Sequence, residues 1–111
     1  MLGTHKLGAL DIVVLLALMR LREEAYGVSV ARAIEDATGQ SVALATLYVT
    51  LGRLEKKGLI SSRLGEPTAE RGGRAKRYFR VTAKGVREVR ATRRLLTSLW
   101  ADIPTLAGDP A

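Results

Sequence analysis

The 111 residues suffice for one domain able to bury about two thirds of its unfolded surface, and 47% apolar with 26% charged content is that of an ordinary soluble globular protein. With no cysteine, a disulfide scaffold, a thiolate metal centre and a cysteine nucleophile are excluded, and a cytoplasmic protein fits. The net charge of +7 is unevenly placed: residues 53–94 hold 14 of the 18 Lys/Arg and 4 of the 11 Asp/Glu, a local +10 against −3 elsewhere, and basic charge gathered in one region attracts a polyanion such as nucleic acid.

The spacing predicts a first helix over 7–21. Leu7, Leu10, Val14, Leu18 and Leu21 form one stripe, but Ile12, Val13, Leu16 and Met19 make the other side apolar as well. Such a helix has to be covered all round, more than a domain of this size provides alone, so a partner subunit is expected. The apolar run 12–19 is far below the roughly 20 residues of a membrane span, and no membrane segment is expected. Asp11 within this helix is expected to be a buried polar contact at the subunit seam.

A second helix is expected over 26–38, with Val30, Ala33, Ile34 and Ala37 on one face and Gly39 as a left-handed cap. Tyr26 before it reads as a packing residue. After a short connection, a third helix runs over 43–57 and stops at Gly58. Leu44, Leu47, Leu51 and Leu54 define its buried face, and at about 100° per residue Thr46, Val49, Thr50, Arg53 and Lys57 fall opposite.

Residues 59–64 and 74–82 alternate as two strands of a hairpin. Its tip carries Arg71, Gly72, Gly73, Arg74, Lys76 and Arg77. A fourth helix is expected over 82–103, with Val86, Val89, Leu96, Trp100 and Ile103 in a heptad pattern. Residues 1–82 are thus expected to form the first unit, 83–104 a dimerisation helix and 105–111 a loose tail. The dimer seam is assigned to Leu10, Val14, Val89, Leu96, Trp100 and Ile103.

Two helices joined by a short turn, followed by a basic hairpin, make a mainly α (α+β) winged helix-turn-helix, whose second helix suits a major groove. Arg53 has the chemistry to pair with guanine edges or with a phosphate, Thr46 and Thr50 to reach bases or phosphates, and Val49 to meet a thymine methyl. Lys57 and Lys56 suit phosphates or the C-terminal end of the helix dipole. Tyr48 borders the buried face, either purely structural or offering its hydroxyl to a phosphate. In the wing, Gly72 and Gly73 remove bulk where backbone comes close to a phosphate, and Arg71, Arg74 and Lys76 surround them with charge.

Residues 25–28 (Ala-Tyr-Gly-Val), Thr46-Leu47-Tyr48 with residues 51–60, Gly72-Gly73-Arg74-Ala75-Lys76-Arg77-Tyr78-Phe79 and Thr82-Ala83-Lys84-Gly85, taken in order, resemble the PadR family of transcriptional regulators. The resemblance covers residues 7–103, and the single C-terminal helix matches the family's short-tailed branch. It implies a winged helix with a C-terminal dimerisation helix, a repressor acting on an inverted-repeat operator in double-stranded DNA, and DNA contacts at Thr46, Tyr48, Arg53 and the wing. Some members sense flat aromatic compounds between their subunits, which on this chain places an effector against Leu96 or Trp100. Two departures stand out: Ala43 replaces a capping hydroxyl and Gly52 interrupts the third helix, each costing roughly 1 kcal/mol.

Neither cofactor nor metal is expected, because His5 stands alone near the terminus and the acidic residues lack ligand spacing. An enzyme is therefore not expected. The rival reading is a winged-helix module that binds protein, or nucleic acid by charge alone, without effector sensing.

Overall fold

In the computed structural model, which describes residues 7–67 and 75–107, the order is α1 (Ala9–Leu21), a 3-10 turn (Arg22–Glu24), α2 (Gly27–Thr38), α3 (Leu44–Lys56), β1 (Ile60–Leu64), β2 (Arg77–Val81), α4 (Ala83–Trp100) and a 3-10 turn at Pro104–Leu106. Local chemistry sets most of these ends. The Asp11 carboxylate accepts the Gly8 N–H (2.9 Å) at the start of α1. Ser29 accepts the Tyr26 N–H (2.9 Å) and donates to the Glu24 carbonyl (2.6 Å), closing the first turn of α2. That helix stops at Gly39 and the turn after α3 passes through Gly58, both left-handed, with φ of 74° and 76°. Ala43, at the start of α3, offers no side-chain cap.

The core lies where α1, α2 and α3 meet the inner face of the sheet. Val14, Leu15 and Leu18 of α1 pack with Val30 and Ile34 of α2, Leu47, Leu51 and Leu54 of α3, and Leu59, Ile60 and Phe79. β1 and β2 are antiparallel, with Ile60 opposite Val81, Ser62 opposite Phe79 and Leu64 opposite Arg77. A third short edge joins them: Tyr26 bridges Tyr78, and the Phe79 N–H donates to the Ala25 carbonyl (2.8 Å). The turn before α2 is thereby part of the wing sheet.

α4 is fastened at its root to the end of α3, and further along Val89 packs against the core. Thr82 accepts the Gly85 N–H (3.1 Å) and donates to the Gly58 carbonyl (2.7 Å), while its own N–H reaches the Leu59 carbonyl (3.0 Å). The Lys84 ammonium donates to the Lys57 carbonyl (3.0 Å), where the C-terminal dipole of α3 favours a cation. Gly85 is required by closeness: a Cβ there would sit 2.1 Å from the Leu59 oxygen.

Three expectations are corrected here. Val14 is wholly enclosed in the core of one chain and is unavailable to a second. Asp11 is not at a subunit seam; its carboxylate pairs with Arg53 of the same chain. The fourth helix ends at Trp100, so Ile103 lies beyond it. Pro104 explains this, since a residue before proline is pushed out of helical conformation, and Ile103 indeed has φ −93° and ψ 107°.

Candidate nucleic-acid interface

Side chains on α3 divide sharply. Leu47, Leu51 and Leu54 are buried, whereas Thr46, Tyr48, Val49, Gly52, Arg53 and Lys56 lie exposed along one arc, Val49 at 67%. Thr50 does not belong to that arc. It is 2% exposed and its hydroxyl donates to the Thr46 carbonyl (3.0 Å) within the helix. Its angular position is only about 40° from Leu54, close enough for the core to claim it. Lys57 is half-buried and ends the helix, its carbonyl occupied by Lys84.

Arg53 stands on the exposed arc with its guanidinium tied to Asp11. Asp11 is buried and also caps α1, so one carboxylate fixes a cation of α3 to the first turn of α1. A planar guanidinium has five donors in a fixed fork, so this pairing orients the group and leaves further N–H edges for another acceptor. Sequence periodicity supplied both residues but not their pairing, which spans 42 positions.

Tyr48 reaches from α3 to the start of α2. Half of the residue is exposed, and its hydroxyl end lies over Gly27, where a Cβ would come within 2.0 Å of the oxygen and 2.5 Å of Cζ. Gly27 opens α2. The phenol therefore rests against the first turn of a helix whose free N–H groups favour an anion. Gly52 is the converse case: among the described residues a Cβ there would meet nothing within 4 Å, so their packing does not call for glycine. Gly52, Lys56 and Ala45, all on the exposed arc, complete a surface that the sequence reading of the outer face did not include.

The wing stands beside this helix. Tyr26 and Tyr78 meet edge to face with ring centroids 5.7 Å apart. The Lys76 ammonium lies 4.0 Å from the centre of the Tyr26 ring and the Arg63 guanidinium 4.8 Å from that of Tyr78. Each cation is thus seated on an aromatic face, an attraction of about 0.5–1 kcal/mol at exposed sites. Lys76 is consequently held against the base of the wing, and Tyr26 is the packing residue its position in the sequence implied. Arg71, Gly72, Gly73 and Arg74 lie outside the described residues.

Toward the end of α4, Leu95, Leu96, Leu99, Trp100 and Ile103 are all exposed, and so are Leu16 and Met19 of α1. Leu10 and Val89, by contrast, pack partly against the core. No helix among the described residues is long and apolar enough to cross a membrane.

A sheet edge formed by the turn before α2, an α2–α3 pair and a two-stranded wing define a winged helix-turn-helix. The model of the transcriptional regulator PadR-like family matches residues 15–91. The chain belongs to that family, which is one of transcriptional regulators and not of enzymes. Among solved structures it is similar to a PadR family transcriptional regulator from Eggerthella lenta, at 28% identity and TM-score 0.69, over 88% of this chain and 83% of that one. A transcriptional regulator from Clostridium thermocellum is 26% identical with TM-score 0.68, over 80% and 83% of the two chains. A PadR-like regulator from Bacillus cereus, 19% identical, shares the fold with TM-score 0.72 over 93% and 95%. Among curated proteins none matches.

Proposed function

We propose that the protein is a sequence-specific DNA-binding repressor that acts as a two-fold dimer on an inverted-repeat operator in the cytoplasm. The carrying observation is the exposed arc of α3 from Thr46 to Lys56, with Arg53 braced by Asp11 and a cationic sheet beside it. In this reading α3 enters the major groove, with Val49, Thr46 and Arg53 toward base edges. The Tyr48 hydroxyl and the first turn of α2 hold one phosphate, while Lys57, Lys76 and the wing residues Arg71, Gly72, Gly73 and Arg74 follow the backbone beyond it. Gly52, which no contact among the described residues requires, lets the sugar-phosphate chain come close.

The second copy covers the apolar end of α4. Leu95, Leu99 and Trp100 there are between 43% and 68% exposed, an arrangement suited to a two-fold seam with α1 of the partner. A small aromatic effector belongs to the same seam, against Leu96 and Trp100.

Selection of bound duplexes from a random pool tests the reading. An inverted repeat with half-sites about one helical turn apart is expected, preferred over random DNA by about a thousandfold or more. Each phosphate contact adds about one unit to the salt slope. Enrichment of no motif by a folded protein, or binding that depends on charge alone, would refute it.

A further inference from the structure

Away from α3 and the wing, positive charge gathers again on α4. The helix carries Arg87, Arg90, Arg93 and Arg94 against a single carboxylate, Glu88. At about 100° per residue, Arg87, Arg90 and Arg94 fall within about 60° of one another, on the far side from Gly85, which is buried, and Val89, which packs on the core. All four arginines are exposed. Arg93 flanks the row and Thr97 extends it, and Arg90, Arg93, Arg94 and Thr97 line one open hollow.

A row of this kind is unfavourable in a helix left bare. Like charges three or four positions apart, as in Arg87–Arg90 and Arg90–Arg94, repel by about 0.2–0.5 kcal/mol per pair. The helix dipole does not account for them, since the last turn of α4 holds no basic residue. Glu88 is turned at least about 100° away from the row. The only ion pair among the described residues is Asp11–Arg53, so no described carboxylate offsets the four charges.

The chemistry of the face narrows its occupant. From Arg87 to Ser98 it offers arginines, Ala91 and two hydroxyls, with none of the apolar anchors that a protein hot spot or a lipid surface needs. Guanidinium forks match phosphate oxygens bidentately. Arg87 and Arg94 are about 10 Å apart along the axis, the span of about three phosphates on one strand of a duplex. We propose that this row holds the backbone of a second DNA duplex, without regard to sequence, while α3 holds the first. Base edges are met by the N-terminal part of a recognition helix, whereas α4 departs from the C-terminal end of α3 and turns its arginines away from the body. Leu95, Leu96 and Leu99 project from the other side of α4, so a second subunit seated on them leaves the row uncovered. Duplex bridging rests on the reading of α3 given above; the phosphate site on α4 does not.

The full-length protein is first saturated with an immobilised duplex selected by α3, then offered a labelled duplex of scrambled sequence at about 50 mM salt. Capture of the scrambled duplex is expected. Arg87→Gln, Arg90→Gln and Arg94→Gln combined should reduce capture at least about tenfold, keep affinity for the selected duplex within about threefold, and leave the melting temperature unchanged or higher. The proposal is overturned by absence of capture, by undiminished capture in the triple variant, or by equal weakening of both duplexes, which would place the row on the first. Amide NMR with the scrambled duplex alone tests the α4 site even if α3 selects no sequence. Shifts at Arg87, Arg90 and Arg94 are expected there, and shifts confined to residues 44–57 and 75–81 would overturn it.

Discussion

Gly27 and Tyr48 allow stability and DNA affinity to be separated. Alanine at position 27 needs no unusual backbone, because Gly27 does not have a left-handed φ, but its Cβ would fall 2.0 Å from the Tyr48 hydroxyl oxygen. Ordinary contact begins near 3.4 Å, so the phenol must retreat by about 1.4 Å. Tyr48 is half exposed and can swing outward, and alanine gains about 0.4–1 kcal/mol by restricting the unfolded chain. Stability should therefore change by less than about 1 kcal/mol. A hydroxyl bonded to a charged phosphate contributes about 1.5–3 kcal/mol, so its displacement should weaken binding to a selected duplex roughly ten- to hundredfold per half-site. Tyr48→Phe should do the same without moving the ring. The double variant should be no weaker than either single one, since both remove one interaction. Fluorescence anisotropy with a labelled duplex and thermal melting in parallel supply the two readouts. Wild-type affinity in both single variants would refute the phosphate role of Tyr48, and a Gly27→Ala protein that fails to fold would refute the mobility assigned to its ring.

Gly85→Ala should destabilise by about 1–3 kcal/mol in urea titration despite a better helix propensity, because the clash is with the Leu59 backbone oxygen, which cannot swing aside. Asp11→Asn should cost about 1–2 kcal/mol, a figure discounted for the 46% exposure of the Arg53 side chain, and should broaden base preference in a repeated selection. An unchanged preference would remove Arg53 from base reading. Leu99→Glu, at the most exposed apolar position of α4, should yield monomers in sedimentation and reduce operator affinity without altering the helical circular dichroism.

Local signals carried the fold. Gly39 and Gly58 marked two left-handed stops, the leucines of α3 its inner face, and the alternation around Phe79 the buried side of β2. Pro104 was an equally local sign, but the heptad reading of α4 ran past it to Ile103. Pairings distant in sequence were not legible. Asp11 suggested a buried polar contact, but its partner, Arg53, is brought beside it only by the fold. Gly27 and Tyr48 looked like separate motif residues, yet each determines what the other can be. Burial at a helix border was ambiguous for the same reason: Thr50 fell inward because of what packs against it, which periodicity alone does not contain. Val14 fits either a core or a seam by pattern, and only the placement of α2 and α3 decides.

The four-point attachment formed by Thr82, Lys84 and Gly85 has a mechanical meaning. With the root of α4 bolted to the tail of α3, the two rods turn as a bent crank. Whatever alters the angle at which two such cranks cross also alters the span between their reading heads. On the proposed dimeric reading, the tolerance for operator spacing is set at this joint.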